Sequence, residues 1–407
     1  MAITDKEEGV WSLDQVYNKI NQGGIWGYDG ASTLWGWGTD AFGALGLNSG
    51  SPNIKYSSPV QIGGSGWSSL PSAPSAHIGA FAIKTDGTLW SWGYNDRGQL
   101  GINLQVKVSS PMQVGSPGET AWAYAGTCRP YTGNTNAVKT DGTLWAWGFN
   151  LYGPLGLNQA SPVNNSSPTQ VGTDTTWSTD ESKMGRGFYH QTAIKTDGSM
   201  WVWGYNMYGE LGLNAPNYAY KSSPTQLGTD ATWAKAANYD SSTTAIKTDG
   251  SLWVWGYNGY GQLGLNTGGP TIRHSSPVQV GTATDWSQVS MTGSTHAIKT
   301  NGTLWSWGYN RYGSLGLNAG DTVKLSSPTQ VGTNTDWSVV RSLGTNSAAG
   351  GNTLAIKTDG TLWSWGYGTG YGTLGQNQAI GYSSPVQIPG TWASIGNGRA
   401  AYAIRVF

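Results

Sequence analysis

The side chains best able to do chemistry in this sequence are few, and their spacing does not gather them. Four histidines, His77, His190, His274 and His296, could bind a metal or move protons near neutral pH. They fall at different offsets within a repeating sequence, and no HExxH or comparable ligand spacing occurs. Cys128, the sole cysteine, has no base nearby in sequence and no second cysteine to pair with, so the fold must stand on packing. There is no GxSxG and no phosphate-cradling GxxxxGK[ST]. The sequence thus offers no catalytic set, no metal site and no cofactor site.

Two repeated charges invite a functional reading. Asp86-Gly87 and its copies could supply acids or metal ligands. They also match the Asp-Gly hairpin signal, in which both turn positions take positive φ, and Asn301-Gly302 substitutes the other tolerant residue. The turn reading is sufficient. Lys84, Lys139, Lys195, Lys247, Lys299, Lys357 and Arg405 share one register and could form a binding ring. Their alternation with inward apolar residues, beside the turn Asp, predicts a solvated ladder.

The elements that must carry these residues come from a repeat. Trp-x-Trp-Gly occurs seven times, its second Trp at 37, 92, 147, 203, 255, 307 and 365. A fuller unit reads AIKTDGTLWSWGYNxYGxLGLN, a variable stretch, SSPxQVG and a lone Trp (67, 122, 177, 233, 286, 337, 392). Each unit predicts four short strands: one after the lone Trp, AIK, LWSW, and an outermost SSPxQV whose Pro sits at the strand start. Alternation places Trp90 and Trp92 on one side, against a neighbouring unit. An open solenoid would repeat as well. Here, however, the first repeat lacks its AIKTDG strand, and Ala401–Phe407 supplies an AIR version of it. We therefore expect an all-β, seven-bladed propeller over residues 31–407, closed by the C-terminal strand completing blade one.

The unit resembles the repeat of the regulator of chromosome condensation family, in the bacterial-type version AIKTDGTLWSWG, and is similar to a secreted β-lactamase-inhibitory propeller. The resemblance implies a seven-bladed fold and a binding role. The plant ultraviolet-B photoreceptor resembles this fold too, but its GWRHT-type motif is absent, and the nucleotide-exchange role of the eukaryotic branch is not carried by the fold.

Composition narrows the partners. Lys plus Arg and Asp plus Glu are 22 each, so no basic field exists to hold nucleic acid or an anionic membrane. With 23 Trp and 21 Tyr the chain has ample core material despite only 11% charged residues. The start, MAITDKEEGVW, does not read as a signal peptide, and no apolar run reaches membrane-spanning length. We expect a soluble protein made in a cytoplasm.

Strand order converts variability into a map. With strands A to D from the centre outward, the A–B and C–D connections share one face, and these hold nearly all the variation. The other face has the invariant TDG turns and short D–A links. Binding sites favour varied loops on rigid scaffolds. The residues expected to meet a partner, a host-surface protein or a glycan, are Arg129, Tyr131, Arg186, Phe188, Tyr189, Tyr218, Tyr220, Tyr239, Arg273 and His274.

Residues 1–30 stand apart. Ser12 and Gln15 form a capping box opening a short helix, with Trp11, Leu13, Val16, Tyr17 and Ile20 as an apolar stripe beside Trp26. The segment is a plug on blade one or an attachment device. The string GVWSLDQVYNKINQGGIW resembles short segments of tailed-bacteriophage virion proteins. The expectation is a non-catalytic virion component, in the tail or on the head surface, held to other virion proteins by residues 1–30. A bacterial protein-binding propeller, inhibitor or adhesion module, is the alternative.

Overall fold

A computed structural model describes residues 32–49, 54–70, 79–116, 118–127, 133–159, 163–216, 218–269, 271–344, 351–368, 372–378, 380–396 and 400–405. Twenty-eight strands, β1 to β28 in chain order, form seven four-stranded antiparallel sheets among these residues. One blade serves for the others: β15 (Trp233–Tyr239), β16 (Ser242–Lys247), β17 (Leu252–Tyr257) and β18 (Arg273–Gln279), in that order from the centre outward. Among the described residues, the regular structure outside strands is three single 3₁₀ turns. The expected N-terminal helix lies outside the described residues.

The TDG hairpin differs from the two-residue turn expected of it. Gly87 is left-handed at φ 80°, but no Asp or Asn of the copies is. Gly87 N–H donates to Lys84 C=O and Lys84 N–H to Thr88 C=O, so the loop has three residues and ends in a left-handed glycine. Asp earns its place differently: Asp86 Oδ1 accepts from Thr88 N–H at 2.9 Å and from its hydroxyl at 2.6 Å. That hydroxyl in turn accepts from Trp90 Nε1–H at 2.8 Å. The relay recurs at Asp141, Asp197, Asp249, Asn301 and Asp359. The glycine also lets a backbone approach, since a Cβ on Gly198 would lie 2.1 Å from Ala231 O.

The proline of SSPxQ is placed by a bulge. Val254 pairs with Val278 and Gly256 with His274, so three residues, Ser275 to Pro277, oppose Trp255 alone. The ladder is broken there, and Pro277 has no donor to lose.

The core consists of seven apolar clusters, one at each seam between neighbouring blades. The second Trp of each pair is fully buried, the first is half-buried, and the lone Trp meets both at 5.9–6.4 Å. Each fully buried indole donates to the carbonyl preceding LG in the previous blade, as Trp255 does to Glu210 O at 2.8 Å and Trp37 to Thr373 O at 3.0 Å. The next glycine must be glycine: at Gly101, φ +70°, a Cβ would sit 2.7 Å from Trp147 Nε1. The asparagine ending LGLN, left-handed in all copies, donates from its N–H across the same seam at 2.6–2.8 Å.

The ring closes as expected, with two late strands instead of one. Blade one orders β2 (Lys55–Ile62), β1 (Thr33–Thr39), β28 (Ala400–Arg405), β27 (Ser394–Gly396). Thr33 pairs with Arg405 and Trp37 with Ala401. The seam between blades seven and one carries the same bonds as the rest, Asn377 N–H to Ser57 O included.

Candidate binding face

The two faces of the disc differ in what their side chains are committed to. On the TDG face the register lysines are clamped, which corrects the expectation of a solvated ladder. Lys247 Nζ lies 4.1 Å from the Trp253 ring centroid, 4.8 Å from that of Trp233 and 2.6 Å from Asp230 Oδ2. Lys139 pairs with Glu119, Lys195 with Asp174, Lys299 with Asp285 and Lys357 with Asp336. In these five blades the link before the lone Trp supplies a carboxylate and the two indoles supply π faces, so the ammonium is held from three sides, while Lys84 rests on its two indoles, Trp67 and Trp90. The turn carboxyls are engaged as well. Bonds from the Thr88 hydroxyl and amide hold Asp86 below the ordinary carboxylate range. This face is consumed by its own architecture.

On the other face the A–B and C–D loops meet. Phe188 N–H, between β11 (Met184–Arg186) and β12 (His190–Ile194), donates to Asp240 O of the next blade at 2.9 Å. A girdle of aromatic pairs crosses the seams here. The GYN residue of one blade meets the xYG residue of the blade before it: Phe42 with Tyr94, Tyr152 with Tyr205, Tyr208 with Tyr257, Tyr260 with Tyr309 and Tyr312 with Tyr367. Tyr152 and Tyr205 stack at 4.2 Å and 16°. Where the first partner is Arg97, it lies 4.6 Å over Phe149. Phe42, Tyr152 and Tyr312 are exposed and held at positive φ, an uncommon conformation for bulky residues. These tyrosines belong to the repeated GYNxYG string. Their three-residue offset beside an obligate glycine was the available signal.

The expected partner residues are distributed unevenly. Tyr218 and Tyr220 are exposed, at 61% and 44%, and Arg273 is exposed with His274 half-buried, all near the varied-face ends of outer strands. Phe188 and Tyr189 are half-buried and pack on each other, with Tyr189 also against Tyr152. Two side chains are not on the surface, contrary to expectation. Tyr239 is 3% exposed in the seam core. Arg186 is 2% exposed, because the 3₁₀ turn Glu181–Lys183 delays β11 and turns residue 186 into the central channel. There it pairs with Glu181 at 3.9 Å and its guanidinium lies 5.5 Å from the Tyr124 ring centroid. Arg129, Tyr131, Trp11, Leu13, Val16, Tyr17, Ile20 and Trp26 lie outside the described residues.

Two histidines have structural work. His190 Nε2 is 3.0 Å from Thr243 Oγ1, and His296 bridges Ser342 Oγ and Ser314 O at 2.8 and 2.9 Å. Burial lowers their proton affinity to about 3 and about 4, so both are neutral.

The sequence pattern of the regulator of chromosome condensation (RCC1) repeat matches residues 86–127, 141–179, 249–298 and 301–347. The chain is 26% identical over 298 residues to the ultraviolet-B receptor UVR8 of Arabidopsis thaliana, covering 72% of this chain and 64% of the receptor. It is 27% identical over 333 residues to the regulator of chromosome condensation of Mus musculus, covering 76% and 74%. The match to human E3 ubiquitin-protein ligase HERC2, 25% identical, spans 75% of this chain and 6% of the ligase. The chain thus spans less than two thirds of the plant receptor and a small part of the ligase. Among solved structures, human WBSCR16 superposes with TM-score 0.76 at 20% identity, covering 92% of this chain and 99% of that one. Prp20p of Saccharomyces cerevisiae gives 0.76 at 18%, covering 92% of each. At these identities the two structures share the fold.

Proposed function

For a chain that belongs to the regulator of chromosome condensation repeat family, we infer that the task is binding, with the varied face meeting a macromolecular partner and no bond made or broken. The observation that carries this reading is the inequality of the faces. The TDG face spends its lysines, carboxylates and indoles on itself, whereas the other presents exposed Tyr218, Tyr220, Arg273 and half-exposed aromatic pairs. Tyr and Arg are the side chains that most often dominate interface energetics. The buried histidines, neutral and bonded within the fold, add to the case against catalysis. Prp20p has binding properties towards Gsp1p and histones, which agrees with a binding role for such propellers.

The assembly we propose is the virion of a tailed bacteriophage, with residues 1–30 attaching the propeller to other virion proteins and the varied face turned to a host-surface protein or glycan. Balanced charge leaves no electrostatic term for nucleic acid. The support is the string spanning Gly9 to Trp26. An antibody to the propeller, used on purified particles, should label the tail or the head surface. Deleting residues 1–24 should leave a folded propeller that is lost from particles. Particles that never label, with the propeller recovered instead on a bacterial protein, would return the inhibitor or adhesion reading. Incorporation of the truncated chain at normal copy number would end the attachment role.

A further inference from the structure

The wall of the central channel breaks the sevenfold pattern. The inner strands of blades one to three, Ser394–Gly396, Trp67–Ser69 and Trp122–Thr127, contain no Lys, Arg, Asp or Glu. The opposite wall, from blades four, five, six and seven, encloses a cavity of about 340 Å³ lined by Arg186, Lys235, Arg341, Asp180 and Glu181, with Gln288 and Ser290. Three cations therefore face two carboxylates in a confined space. Both carboxylates have other work: Glu181 pairs with Arg186, and Asp180 Oδ1 accepts from Ser182 N–H at 2.9 Å.

Lys235 and Arg341 are left over. Neither has a carboxylate within 4.0 Å among the described residues. Arg341 spends Nη1 on its neighbour's carbonyl, Val340 O at 3.2 Å, while its buried Nε–H finds no acceptor. Burial pulls the proton affinity of both groups down; Glu181 and then Asp180 oppose the effect at Arg341, while at Lys235 Asp180 opposes it and the Arg341 charge adds to it. A part-buried cation with no carboxylate in direct contact is costly, and the scaffold places neutral side chains at these registers elsewhere. In the same registers the neighbouring inner strands carry neutral side chains: Gln288 and Val339 where Lys235 stands, and Ala237 and Ser290 where Arg341 stands. The volume matches the lower range of small-ligand sites.

We propose that this wall binds a small oxyanion, a phosphate or carboxylate group, gripped by the Arg341 fork and the Lys235 ammonium and oriented by Gln288 and Ser290. An arginine fork and an ammonium together suit a group presenting two or more oxygens. The assignment is independent of what the varied face binds.

The test uses the full chain at low ionic strength, titrated calorimetrically with inorganic phosphate and, separately, with citrate. One saturable site per chain is expected for at least one of them, and which one binds separates the phosphate source from the carboxylate source. Arg341→Met and Lys235→Met should each weaken binding about tenfold or more, as loss of a charge-assisted contact does. Lys221→Gln, an exposed lysine on an outer strand, should bind like the parent. Without anion, the two Met variants should melt at or above the parent temperature, because an unmatched charge is gone; a purely structural arginine would melt lower. If Arg341→Met does not fold, half-buried Lys235→Met decides. Heats that never saturate with either anion, or Met variants that bind like the parent, overturn the site.

Discussion

The seams of this propeller and its channel wall are built on opposite rules. Every seam repeats one solution: a buried indole, a carbonyl to receive its N–H, a glycine that leaves room for it and an asparagine bonded across. The channel wall is used once, on one side, with charges the scaffold has no call for. The varied face lies between these extremes, since its aromatic girdle repeats while the loops above it do not. Repetition marks what holds the ring, and departure from it marks what the ring holds.

The contrast can be broken where its effects are largest. Removing Ser394 to Arg405 takes two strands from blade one and leaves β1 and β2 as a half-sheet with an open edge. The ring should fail to close, and the truncated chain should be recovered as aggregate or as a species melting far below the parent by calorimetry. A monomer with unchanged melting would show that the seams do not need a closed ring.

Trp255→Ala, in the middle of a seam, should cost about 3–5 kcal/mol in urea unfolding, as buried aromatic truncations do. The indole's bond to Glu210 O goes with it, while Thr243 Oγ1–H still donates to that carbonyl at 3.0 Å. An unaltered unfolding curve with lost partner binding would mean that the indoles are ligand platforms.

Glu210 sharpens the comparison, because it is a seam residue that breaks the rule. At the position where other blades have Ala44, Gln99, Pro154, Gln262, Ser314 or Thr373, it buries a carboxyl. Burial raises its proton affinity to about 7, against the pull of three backbone amides. The unfolded carboxyl releases its proton near 4.5, so the folded state binds more protons between those values, and stability must fall as pH rises from about 4.5 through 7. The loss should reach roughly 3 kcal/mol. Glu210→Gln should flatten this slope in urea melts taken from pH 4.5 to 8; an unchanged slope would place the titration elsewhere.

The smallest expected stability change tests the varied face. Tyr218, Tyr220 and Arg273, all exposed, should be replaceable by Ala together at a cost of about 0.5 kcal/mol or less each. Capture of the partner should nonetheless fall about tenfold or more, measured by pull-down from host envelope extracts. Capture equal to that of the parent would move recognition to other loops.

The repeat made the blade count, strand order and closure legible before any coordinates, because the indole, glycine and asparagine signals recur in fixed phase. Two local readings missed for the same reason: a side chain's neighbour can come from another segment. Lys247 reads as solvated from its own strand, yet Asp230 and Trp233 arrive from the preceding link. Arg186 reads as a loop residue beside Phe188 and Tyr189, but the 3₁₀ turn at Glu181 shifts the inner strand and buries it against blade three. The channel charges gave no signal in sequence, since Lys235 and Arg341 are far apart in the chain and share only the curvature of the ring.

Closure by late strands has a consequence for biosynthesis. Tyr402, packed in the first seam, lies 358 residues from Ala44, whose carbonyl it bonds. Thermodynamically the separation is cheap, because loop-closure entropy grows only with the logarithm of length. In time it is not. At ordinary translation rates a ribosome needs roughly 20 to 70 seconds to cover that stretch. Blades two to six can assemble as they emerge, while β1 and β2 wait with Trp37 uncovered and one edge unpaired. The nascent chain is thus most vulnerable at the end it made first, and its yield depends on how that half-blade is sheltered until the last strands arrive.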